Sequence, residues 1–226
     1  MLRLHYAPDN ASLIVRLWLE ELGLDYRTVL VDRRAQGQKA PAYLALNPRG
    51  LIPVLETEDG PIFETAAVLL WLSDRHPGRA PAPDAAQRGA FLSWLFAVSN
   101  GLHAELRRLF YPGLYGDEAA QVAALQGQIG GLLDQLEALA GRSQDWFGAN
   151  IPGPLDVYVA ALLRWCALYP VGGTDWFSLG GRPHLAALAR RVEARPAALR
   201  AAAAEGLGPT PFSAPRYADP PEGSAT

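Results

Sequence analysis

The sequence predicts an α/β domain followed by an all-helical domain, and three observations carry that expectation. Strand patterns occur only in the first third of the chain, in the order strand, helix, strand, helix, strand, strand, helix. A stretch dense in Pro and Gly, His76-Pro77-Gly78-Arg79-Ala80-Pro81-Ala82-Pro83, then reads as a linker. Beyond it the apolar residues recur at helical spacing and strand signals vanish. The chain has 226 residues, 50% of them hydrophobic and 19% charged, enough for one large or two modest domains with a substantial core.

Leu2, Leu4 and Tyr6 alternate with Arg3 and His5, the pattern of a first strand. A helix follows from Ser12 to Leu22, with Leu13, Ile14, Leu17 and Trp18 facing inward and Gly23 as its stop. Tyr26 to Val31 reads as a second strand, Asp32 to Gln38 as a polar loop, and Pro41 to Leu46 as a short helix. The apolar run Leu51 to Leu55 reads as a third strand and Pro61 to Phe63 as a fourth, with helical composition from Ala66 to Ser73. A strand–helix–strand unit followed by a hairpin and a helix is what a thioredoxin-like domain requires. In the second part, Ala85 to Leu109 is a long helical pattern that Tyr111-Pro112-Gly113-Leu114-Tyr115-Gly116 breaks. Glu118 to Ala140 is a second long helix, weakened by Gly127, Gly130 and Gly131. Leu155 to Leu168 is strongly apolar and belongs at the domain centre. Pro183 to Arg195 and Pro196 to Glu205 complete the bundle, and from Pro209 the Pro/Gly-rich tail is expected to be loosely held or to wrap the surface. The expected divisions are 1–78, 84–208 and a tail over 209–226.

The most informative stretch runs from Asn47 to Thr65. Asn47-Pro48-Arg49-Gly50 reads as a turn, since Pro presets φ and Gly accepts positive φ. Pro53 interrupts the strand that follows. A proline cannot donate to a sheet ladder, so it belongs at a strand's start, edge or bulge. An X-Pro bond held there is a candidate for the cis isomer. Backbone at Ile52 is then free to pair with an extended, peptide-like ligand by strand addition. Glu58-Asp59-Gly60-Pro61 is a hairpin signal. Thr65 falls near a helix N-cap, where a hydroxyl and free N–H groups favour an anion, and Glu64 beside it suits an amine. A ligand with a carboxylate, an ammonium and a peptide backbone fits this edge, and glutathione has all three.

The Asn-Pro-x-Gly-x-Ile-Pro-Val-Leu run, the hairpin and the Glu-Thr pair resemble the glutathione-binding half of cytosolic glutathione transferases. The resemblance covers residues 1 to about 207 and is strongest from 44 to 75. It implies that Ile52, preceding a cis Pro53, pairs with the cysteinyl backbone of glutathione, and that Glu64 and Thr65 hold its γ-glutamyl end. Thr65 replaces the more frequent Ser and keeps the hydroxyl. It also implies glutathione as co-substrate, a homodimer and a detoxifying role. The family's central helix usually opens with a Ser/Thr-x-x-Asp capping box. Asp156 holds the acidic place here, but Gly153 replaces the hydroxyl residue.

Glutathione transferases activate the glutathione thiol, whose free pKa is near 8.5, with a donor from the first strand's end or the first helix's start. Tyr6, Asn10 and Ser12 are the candidates. Ser12 leads because it falls at the expected helix N-terminus, where hydroxyl and dipole act together. Asn10 can donate through its amide, and Tyr6 alternates with Leu2 and Leu4 as a core residue would. The loop Pro8-Asp9-Asn10-Ala11-Ser12 most resembles that of the bacterial Beta class, with Ala11 where that class has Cys. No mixed disulfide can form there, which argues against a thiol–disulfide reductase and for conjugation. Cys166 is expected to be an inert buried thiol. Gln38 and Lys39, with Arg33 and Arg34 behind them, are candidates for the glycyl carboxylate. Phe96, Leu102, His103, Leu106, Phe110, Tyr111 and Tyr115 are candidates for an electrophile pocket expected between the domains. Competing readings are a dehalogenase, isomerase or reductase on the same scaffold, or a non-catalytic glutathione-binding protein.

Composition narrows the rest. A net charge of −3 offers no electrostatic case for nucleic acid or an anionic membrane. One Cys and four scattered His show no disulfide framework or metal-ligand spacing, so no metal is expected. There is no signal-peptide pattern and no apolar run of the ~20 residues that span a bilayer, so the expected location is the cytoplasm.

Overall fold

The computed structural model describes residues 1–115 and 118–225. The chain divides into two compact units, one formed by residues 1–76, 194–211 and 216–226, the other by 77–193 and 212–215. These are not the expected segments, because the last helix and the tail group with the first unit.

The first unit is built on a four-stranded sheet of order β2-β1-β3-β4. Strand β1 (Leu2–Tyr6) runs parallel to β2 (Tyr26–Leu30) and antiparallel to β3 (Val54–Thr57), which forms a hairpin with β4 (Gly60–Phe63). Helix α1 (Ser12–Leu22) starts and ends where the sequence predicts, and Gly23 closes it at φ 64° with its N–H on Glu20 O. Strand β3 begins at Val54 and not at Leu51, since Pro53 has no N–H to give the ladder. Leu4 and Leu55 are register partners and both fully buried. A smaller cluster joins Val31, Val54 and Tyr43 of the short helix α2 (Pro41–Leu44), with Leu46, Ile52 and Phe63 packed against it. Helix α3 (Thr65–Arg75) follows β4 and packs against α1.

The second unit is helical: α4 (Arg88–Ala97), α5 (Ala104–Phe110), α6 (Pro112–Tyr115), α7 (Ala119–Ala140), α8 (Pro154–Leu168) and α9 (Pro183–Glu193). The expected helix over 85–109 is interrupted by a π-helical stretch, Val98–His103, between α4 and α5. Gly101 lies in that stretch, where an added Cβ would come within 3.3 Å of Leu132 on α7. The three glycines of α7 do not break it, because tertiary burial of Leu125, Ile129, Leu133 and Leu136 outweighs their propensity cost. Helix α8 is buried along nearly its whole length. Its N-terminus retains half of the capping box: the Asp156 carboxylate accepts the Gly153 N–H at 2.9 Å and the Gly148 N–H at 2.8 Å. Gly116, part of the expected break, and Thr226 of the expected tail lie outside the described residues.

Helix α10 (Pro196–Glu205) was expected in the bundle and instead packs on α1. Its Ala197, Ala198, Ala201 and Ala202 are buried, a small-residue face that lets two helices approach closely. Arg195 holds Glu21 with two hydrogen bonds of 2.9 and 3.0 Å, and Arg200 holds Glu20. The tail wraps this unit and is well held. Asp219 N–H bonds Gly206 O at 2.9 Å, Arg33 Nη1 bonds Ala225 O at 2.8 Å, and Tyr6 donates its hydroxyl proton to Glu222.

Candidate active site

Strand register brings the expected site residues to one end of the sheet. His5 pairs with Val54, and Val54 with Phe63. The segment leaving β1, residues 7–11, the pair Ile52-Pro53 entering β3, and the pair Glu64-Thr65 leaving β4 therefore meet at the same edge. The Ile52–Pro53 peptide is cis, and Ile52 precedes the paired residues of β3.

The turn before it is firmly built. Buried Asn47 accepts the Arg49 N–H through Oδ1 at 3.0 Å and donates Nδ2 to Leu51 O at 2.7 Å. Tyr43 OH donates to the same carbonyl at 2.8 Å, and Gly50 N–H bonds Asn47 O at 2.9 Å. Gly50 has φ 61°, and a Cβ there would sit 2.9 Å from Gln38 O and 3.1 Å from Lys39 Nζ. Only glycine meets both demands. The same contacts place Gln38 and Lys39 against this turn. Gln38 Oε1 is buried with no hydrogen-bond partner among the described residues, and Lys39 is exposed.

Glu64 sits at φ 70°, ψ 117° as the residue before α3, and its carbonyl accepts the Val68 N–H at 3.0 Å. Thr65 is the first residue of α3 and buried, in the turn whose N–H groups have no partner within the helix. The Glu64 carboxylate is exposed and forms an ion pair with Arg49.

The three candidate thiol activators separate clearly. Ser12, the leading expectation, is 0% exposed, with its Oγ donating to Ala7 O at 3.0 Å and accepting Ala7 N–H at 3.2 Å. Its one proton is spent stapling the β1–α1 loop, which corrects the expectation that it faces a ligand. Tyr6 is 2% exposed, bonded to Glu222, and lies beneath the Arg16 guanidinium 4.6 Å from its ring centroid. Burial first, and then the Glu222 hydrogen bond, push its hydroxyl pKa up, so it is a structural residue. Asn10 alone is half-buried at the loop's tip. Its Oδ1 accepts the Ala11 N–H at 2.9 Å, so the donor its amide has to offer is Nδ2.

A support for this loop escaped the sequence. Asp9, at φ 49°, gives its N–H to Glu205 Oε2 at 2.8 Å, while Glu205 Oε1 takes Arg16 Nε at 2.7 Å. Burial pushes the Glu205 carboxyl up to about 7, against the pull of Arg16. A Glu ending an Ala-rich helix carried no signal that it would be fully buried.

On the second unit the expected pocket residues divide. Leu106 is fully buried core, whereas Phe96 and Tyr115 are exposed. Phe110 stacks edge-on against Tyr169, and Arg107 lies over the Tyr111 ring while its Nε bonds Tyr115 OH at 3.2 Å. His103 Nδ1 is 2.8 Å from Tyr158 OH, with Tyr158 and Trp165 both 5.6 Å from its ring. Burial lowers its pKa to about 4. Cys166 is buried and its thiol pKa is pushed up by that burial. Among the described residues no group of three or more His, Cys, Asp or Glu is placed to hold a metal, and no helix is long and apolar enough to cross a membrane.

Residues 11–75 match the family model described as the glutathione S-transferase N-terminal domain. The chain is 31% identical over 212 residues to glutathione S-transferase GstA of Escherichia coli O157:H7, covering 91% of this chain and all of that relative. It is 30% identical over 181 residues to maleylacetoacetate isomerase of Pseudomonas aeruginosa, covering 76% of this chain and 84% of that one. Among solved structures, a sphingomonad glutathione S-transferase complexed with glutathione superposes with a TM-score of 0.76 at 29% identity, over 91% of this chain and 100% of that one. Sequence and fold agree over nearly the whole length, and the chain belongs to the glutathione transferase superfamily.

Proposed function

We propose that the chain binds glutathione along the edge formed by Ile52, Pro53, Glu64 and Thr65, and transfers its thiolate to a small hydrophobic electrophile. The observation that carries this reading is the convergence, set by strand register, of the β1–α1 loop, Ile52-Pro53 and Glu64-Thr65 at one end of the sheet. Backbone at Ile52 pairs with the cysteinyl residue, Glu64 takes the ligand ammonium, and Thr65 with the first turn of α3 takes the γ-glutamyl carboxylate. The Gln38 amide and Lys39 take the glycyl carboxylate. The Asn10 amide donates to the sulfur, favouring thiolate over thiol. The working protein is a cytoplasmic homodimer, which light scattering on the purified chain checks.

Conjugation is tested by turnover of an activated aryl halide with glutathione. Thr65→Val is expected to weaken glutathione binding about tenfold, the loss of a hydrogen bond to a charged group. Unchanged affinity would remove Thr65 from the site. A second reading, glutathione-dependent isomerisation, is supported by the isomerase relative at 30% identity. The two separate by stoichiometry: conjugation consumes one glutathione per product, and isomerisation consumes none.

A further inference from the structure

Arg49 has no role in the reading above, yet its guanidinium rests on the carboxylate that the reading gives to the ligand ammonium. We propose that Arg49 is a specificity-determining residue, which with Glu64 forms a resting ion pair that opens onto an α-amino-acid zwitterion. The ammonium takes Glu64, and the adjacent carboxylate, which Thr65 and the first turn of α3 also hold, takes Arg49. The inference rests on the proposed glutathione site and adds the chemistry by which the γ-glutamyl head is chosen.

Both ends of the pair project from fixed backbone. Arg49 is held by its N–H on Asn47 Oδ1, inside a turn that Asn47 and Tyr43 lock through Leu51 O and that Gly50 N–H closes on Asn47 O. Glu64 is held at its positive φ by the start of an 11-residue helix. The side chains themselves are free to part, since they are 59% and 49% exposed. An ion pair so exposed contributes little, so opening it costs little.

Charge counting then selects the ligand. An ammonium without a carboxylate breaks one pair to make one, and leaves the guanidinium unmatched. A carboxylate without an ammonium leaves Glu64 unmatched in the same way. A zwitterion replaces one pair by two, and the planar guanidinium suits a carboxylate in two-point contact. Glu64 alone would accept a simple amine nearly as well, and Thr65 offers the carboxylate a hydroxyl but no opposite charge. Arg49 makes the site demand both charges on one carbon.

The test is calorimetric titration with three probes. They are glutathione, 4-aminobutyryl-cysteinylglycine (which lacks the α-carboxylate) and glutaryl-cysteinylglycine (which lacks the ammonium). The wild-type protein is expected to bind both analogues at least about tenfold more weakly than glutathione. Arg49→Gln is expected to lose about threefold or more of its preference for glutathione over the decarboxylated analogue, the share Thr65 does not supply, while its preference over the deaminated analogue survives. Glu64→Gln should show the reverse. If Arg49→Gln discriminates against the decarboxylated analogue as strongly as wild type does, the role of Arg49 is overturned while the glutathione site stands. If wild type gives no saturable glutathione signal, the site reading fails and the inference falls with it.

Discussion

At the scale of single residues, buried polar groups decide what the side chains can do. His103, packed between Tyr158 and Trp165, is one such group. Burial, aided by the Arg107 charge, holds its pKa down from the ordinary 6.5 to about 4. The folded protein therefore stays unprotonated there while the unfolded chain takes up a proton, so stability rises with pH across that window. This contribution is lost as pH falls from about 6.5 towards 4. Chemical denaturation midpoints of wild type should fall more steeply over this range than those of His103→Gln. Parallel profiles would show that His103 does not titrate as its burial requires. Ser12 makes the complementary case. Ser12→Ala strands the buried Ala7 N–H and carbonyl, an expected loss of about 1–3 kcal/mol. The same variant should leave the pKa of bound glutathione unchanged, and a raised value would return Ser12 to the chemistry. The sequence made Ser12 attractive because its position at the helix start was legible. Where its hydroxyl points was not, since that depends on how the loop folds back to Ala7.

At the scale of elements, local signals were read well wherever they were also sufficient. Helix α1 and its Gly23 stop, the interruption at Pro53 and the Asp-Gly hairpin each follow from one residue's backbone demands. The π-helical stretch at Val98–His103 was not legible, because no local residue pattern marks it and Leu132, against which Gly101 lies, is some thirty residues further on. Helix α8 lies between these cases. Its apolar length was plain, and Asp156 was recognised as half of a capping box, but the second hydrogen bond to Gly148 comes from a loop eight residues earlier. Asp156→Ala removes both acceptors from buried N–H groups. The expected cost is about 2 kcal/mol, or a fall in Tm of about 4–8 °C. A Tm within a degree of wild type would show the cap to be dispensable.

At the scale of the whole molecule, the chain returns at its end to the unit where it began. Helix α10 and residues 216–225 belong with β1, α1 and β2, separated from them by more than a hundred residues. An Ala-rich helix carries no mark of its docking site, so this closure had to come from three-dimensional structure. Glu205, Glu222 and Ala225 bear on Asp9, Tyr6 and Arg33, so the end of the chain braces the loop that carries Asn10. Ending the chain after Ala218 should lower hydrogen-exchange protection in residues 6–10 and 30–33. Protection equal to wild type would show that the tail merely lies on the surface.

The central claim is that this chain binds glutathione and lowers the pKa of its thiol through Asn10. The ultraviolet absorbance of the bound thiolate, followed against pH in wild type and Asn10→Ala, tests it most directly. The account predicts a wild-type thiol pKa at least about one unit below the free value near 8.5, moving back towards that value in Asn10→Ala with saturable binding retained. A bound thiol that titrates like free glutathione in the wild-type protein would contradict it.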